Sequence, residues 1–87
     1  MSTEIEKVDK ERIIVKHENF TAEYMVIKNS GEDMPIYGIM VDCGDLGRDS
    51  LENVFFTADE AYKRCEWLAE NEVFAQGFRD VMTEIMA

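Results

Sequence analysis

Cys43, Cys65 and the single histidine, His17, are the residues of this chain whose types could do chemistry. A thiolate beside an imidazole makes a nucleophile with its base, and the same groups bind zinc. Zinc sites draw on close pairs such as Cys-x-x-Cys, and none is present. A nucleophilic cysteine needs a local device that lowers its pKa, and the residues around Cys43 and Cys65 supply none. Cys65 falls within an apolar helical stripe, where an inert buried thiol is expected. Cys43 falls at a strand end and is expected to be the more exposed of the two. A small thiol enzyme using Cys43 and His17 is therefore a minor alternative.

The turn Asp42-Cys43-Gly44-Asp45-Leu46-Gly47-Arg48-Asp49 is the best metal candidate. An EF-hand loop begun at Asp42 would place Gly47 correctly at position 6. It would also place Gly44, Leu46 and Asn53 at positions 3, 5 and 12, where oxygen ligands are required. An ordinary Gly/Asp hairpin turn accounts for the segment better. Gly44 and Gly47 also lack the following Lys and Ser/Thr of a phosphate-binding loop. The neighbouring acids Asp59 and Glu60 are explained by helix capping rather than acid–base catalysis. The expectation is a protein without catalytic residues, metal or cofactor.

Trp67 is the residue that stands out. At about 100° per helical residue it lies opposite Cys65, among Glu60, Lys63 and Glu70. A tryptophan on a polar helix face favours a partner surface, and the competing reading is that another segment covers it. Met82 and Met86 close the last helical stripe, where gap-filling is the commoner role than adaptable binding.

The elements that position these residues follow from periodicity. Arg12–Lys16 is short and β-branched, a first strand. Phe20–Lys28 alternates, with Phe20, Ala22, Tyr24 and Val26 on one face and Met25 and Ile27 on the other. Asn29–Pro35 reads as a hairpin connection. Ile36–Asp42 is nearly all apolar, the composition of a central strand, with Gly38 marking a bulge or a close approach. Leu51–Phe56 returns as a short strand.

The period then changes to that of a helix. Thr57 suits the N-cap, with Glu60 completing a capping box. Ala58, Ala61, Tyr62, Cys65, Leu68 and Ala69 form one stripe, and Asn71 suits a left-handed C-terminal position. Phe74, Phe78, Val81, Met82 and Ile85 repeat the stripe in a second helix, where Gly77 is expected to permit close packing against the first. Residues 1–11 read as a frayed, flexible tail or an edge strand, and residues 12–87 as a single domain.

Length and charge bound the rest. The 87 residues suffice for one domain, and 46% hydrophobic content is ordinary for a globular protein. The net charge of −10 argues against direct nucleic-acid binding and against docking on an anionic membrane. No apolar run approaches a membrane span, and the polar start, Met1–Lys7, is not expected to be a secretory signal. With two cysteines, a reducing, cytoplasmic setting is expected.

The motifs Glu23-Tyr24-Met25-Val26, Tyr37-Gly38-Ile39, Phe56-Thr57 with its following acids, Leu68-Ala69 and Asp80-Val81 together resemble a small uncharacterised family of bacterial domains of unknown function. The resemblance spans Phe20 to the C-terminus and implies strands followed by helices, with no reaction or ligand. The family opens its last helix after a Ser-Pro or Thr-Pro pair, where this chain has Phe74-Ala75.

The resulting expectation is an α+β fold: a three- or four-stranded antiparallel meander with two C-terminal helices on one face. The expected function is a small acidic protein-interaction or regulatory module, its partner another protein or a second copy in a homodimer. Trp67, Glu60, Lys63 and Glu70 would be its contact surface. A second alternative is an acidic inhibitor that occupies the nucleic-acid-binding surface of a partner.

Overall fold

A computed structural model describes the backbone of residues 4–29 and 35–86, and the side chains of these up to Glu84. The elements in chain order are β1 (Glu4–Lys7), β2 (Arg12–Lys16), β3 (Thr21–Lys28), β4 (Tyr37–Asp42), β5 (Arg48–Phe55), α1 (Ala58–Glu70) and α2 (Ala75–Met86). The strands pair antiparallel in the order β1-β2-β3-β4-β5, and both helices follow the sheet. The fold is α+β as expected, with five strands rather than three or four.

The additional strand is β1, the edge-strand form of the N-terminal segment. All four of its residues are exposed, so no apolar period marks it. It is held by its ladder with β2, where Ile5 sits opposite Val15 and Lys7 opposite Ile13. Two ion pairs add to this, Lys16–Glu6 at 3.9 Å and Lys7–Glu66 at 2.8 Å, the second tying β1 to α1. Charged side chains on a short outer strand also discourage pairing with another sheet.

The two-residue period places Ile13, Val15, Ala22, Tyr24, Ile39 and Val41 on one face, all fully buried. Register aligns Ile13, Tyr24 and Val41 in a single row across β2, β3 and β4. Both helices pack on this face, α1 over β2, β3 and β4, and α2 over β4 and β5. From α1 come Ala61, Cys65, Leu68 and Ala69, and from α2 Phe78 and Met82. Arg79 of α2 bonds the Asp49 carboxylate and the Ser50 carbonyl, both at 3.0 Å, which fixes α2 to β5.

Gly38 does mark a bulge. Tyr37 pairs with Phe55 and Ile39 with Leu51, so three residues of β5 stand against Gly38 alone. Asn53, within the bulge, has φ of 60°. Its side-chain oxygen accepts from Asn29 Nδ2 at 2.9 Å, which ties the end of β3 to the irregular strand. The close approach at Gly38 is by backbone: an added Cβ would run into the Leu51 carbonyl oxygen and lie 2.8 Å from Glu52 Cα. The connection expected at Asn29–Pro35 lies mostly outside the described residues, and Asn29 N–H bonds the Ile36 carbonyl at 2.9 Å across it.

Thr57 is the N-cap of α1, its hydroxyl accepting from Glu60 N–H at 3.1 Å. The Glu60 carboxylate turns back onto the same hydroxyl at 3.2 Å, where the capping box would have it reach the Thr57 amide. The left-handed residue at the far end is Glu72, with φ of 53°, and Asn71 keeps a φ of −98°. Val73 N–H bonds the Leu68 carbonyl at 2.9 Å and Glu72 N–H bonds Ala69 at 3.3 Å, the two bonds of a Schellman ending. The turn is therefore one residue later than Asn71 alone suggests. Gly77 is not a packing glycine, since an added Cβ there would meet nothing within 4 Å.

Candidate functional site

The cap at Thr57 sets the phase of α1, and that phase turns Trp67 away from Cys65. Trp67 is 38% exposed, whereas Cys65 is fully buried. Glu60, Lys63 and Arg64 share the Trp67 side of the helix, and with Phe55 they line an open depression of about 320 Å³. Phe55 reaches this site from the last residue of β5. The Arg64 guanidinium lies over the Trp67 ring, 5.7 Å from its centroid. Such stacking is worth about 0.5–1 kcal/mol at an exposed site. Arg64 Nε is buried and has no hydrogen-bond partner.

Glu70 stands one turn beyond Trp67, exposed and outside the depression. Asn71 bonds the Trp67 carbonyl twice, through its backbone N–H at 3.0 Å and its side-chain amide at 2.8 Å, which steadies the helix end beneath the indole. Lys63, Arg64 and Glu70 take part in none of the ion pairs among the described residues. The Lys7 ammonium bonds neighbouring Glu66, and that hydrogen bond raises its pKa above the ordinary lysine value. The arrangement offers an aromatic surface, a planar cation, a flexible cation and carboxylates at either end. It suits contact with another polypeptide, and it contains no nucleophile–base pair.

Of the four residues expected at the contact surface, Trp67, Glu60 and Lys63 gather around the depression and Glu70 lies beside it. Arg64 and Phe55 were not foreseen. The spacing of three residues from Arg64 to Trp67 was an available signal, since residues so spaced are neighbours on a helix. Phe55 arrives from another element, and no local pattern could announce it.

The other chemical candidates separate. Cys43 is 2% exposed against 0% for Cys65, so the strand end is buried almost as fully as the helix stripe. Its N–H bonds the Gly47 carbonyl at 2.8 Å, and it keeps the inward phase of Ile39 and Val41. Cys65 is fully buried, and desolvation pushes its thiol up to about 12. His17 stacks on Phe20 with centroids 4.7 Å apart and meets the edge of Phe74 at 4.9 Å. Its Nε2 is buried without a partner.

The Asp42–Asp49 segment is a tight turn. Gly44 and Gly47 take φ of 62° and 111°, and Asp42 Oδ1 accepts from Gly44 N–H at 2.9 Å. Among the described residues no group of three or more His, Cys, Asp or Glu side chains could hold a metal ion. Met82 is fully buried in the core, and the Met86 side chain lies outside the described residues. No described helix is long and apolar enough to cross a membrane. No protein-family model, curated protein or solved structure matches the chain.

Proposed function

We propose that this chain is a small acidic protein-interaction or regulatory module of the cytoplasm, without catalysis, that binds through the exposed face of α1. Trp67, Glu60, Lys63 and Glu70 make the contact surface, joined by Arg64 and Phe55. The observation that carries the reading is Trp67 itself, 38% exposed beside two cations without ion-pair partners among the described residues. Tryptophan and arginine are the residues most enriched where binding energy concentrates. We also propose membership of the bacterial family that the strand and helix motifs resemble.

The thiol-enzyme alternative has less behind it, because Cys43 is 2% exposed and belongs to the core. The acidic-inhibitor alternative would need the acids to act as a free field. Glu6, Glu23, Glu66 and Asp49 each hold a cation of the chain itself, which leaves this alternative the remaining acids of the 19.

Trp67→Ala tests the reading. Light scattering across a concentration series, with affinity capture by wild type and variant as bait, reads association. Circular dichroism and a thermal melt read the fold. The expected result is an intact fold and a lost association. A variant that unfolds would make Trp67 a core residue, and unchanged association would remove it from the interface; either refutes the reading.

A further inference from the structure

We draw no further inference here: the strongest candidate, the half-buried apolar strip of Ile14, Met25, Ile27 and Met40 on the sheet face turned away from both helices, is an unpartnered face, and nothing in the structure shows what covers it.

Discussion

Tyr24→Phe removes a single oxygen from the middle of the fold, and its cost can be worked from the structure. The Tyr24 hydroxyl donates to the Val73 carbonyl at 2.7 Å, and the Tyr24 ring is fully buried. Val73 sits in the link between the helices, immediately after left-handed Glu72. The bond therefore fastens the turn between α1 and α2 to the central strand β3. Phe keeps the ring, so no cavity opens and only the hydrogen bond is lost. The Val73 carbonyl is then stranded in an apolar site, which costs about 1–3 kcal/mol. We expect a loss of about 2 kcal/mol, and for a chain of this length that lowers Tm by roughly 8–16 °C. Urea and thermal unfolding followed by circular dichroism measure it, with the urea m-value unchanged. A loss below about 0.5 kcal/mol would refute the claim that this hydroxyl secures the interhelical turn.

The same substitution has a signature in alkali. Desolvation raises the Tyr24 phenol above its ordinary value and pushes the Cys65 thiol up to about 12. Both groups keep their protons in the folded chain after the unfolded chain has released its own. The unfolded state then binds fewer protons, so stability falls as pH rises, from about 8.5 for the thiol and about 10 for the phenol. The slope approaches about 1.4 kcal/mol per pH unit for each group. Tyr24→Phe should retain the first part of this decline and flatten the part above about pH 10. A variant that tracks wild type through pH 11 would contradict the burial assigned to the phenol.

Two further predictions concern glycines and thiols. Gly38→Ala and Gly77→Ala should have opposite signs in urea melts: a loss of about 1–3 kcal/mol at Gly38, where backbone blocks the methyl, and a gain of about 0.5–1 kcal/mol at Gly77, where nothing lies within 4 Å. Equal signs would contradict the packing described around the bulge. Cys43 and Cys65 should both resist Ellman's reagent in the folded protein, reacting at least about 100-fold slower than in the urea-unfolded chain. Rapid labelling of Cys43 would raise the standing of the thiol-enzyme alternative.

Most of the fold was legible because hydrophobic periodicity reports burial. β3 and the two helices each bury one side of a clear repeat, β4 is marked by its nearly unbroken apolar run, and Thr57 with Glu60 marks the start of α1 through local hydrogen bonding. What periodicity cannot report is a strand that buries nothing. β1 is exposed throughout and exists because β2 offers it a ladder. The Schellman ending was misplaced by one residue for a related reason. Asparagine tolerates positive φ better than glutamate, but the bonds from Glu72 and Val73 back to Ala69 and Leu68 decide which residue takes it.

The site was legible only as far as a single helix allows. A helical projection separates Trp67 from Cys65, but it does not say which charges near the indole are already used. Lys7, Arg12, Lys16 and Arg79 are spent on acids of other elements, and Lys28 lies 5.8 Å over the Tyr37 ring. These pairings couple β1 to α1, β2 to its neighbours on both sides, and α2 to β5, so they belong to the fold. Lys63 and Arg64 have no such tie among the described residues. Lys10, Lys28 and Arg48 also lack a carboxylate partner among the described residues, so what marks Lys63 and Arg64 is that they stand together beside the exposed indole. Pairing them within the fold would hold α1 more tightly to the sheet. Left beside an exposed indole, they add two cations, free among the described residues, to the face of α1 on which the proposed contact rests.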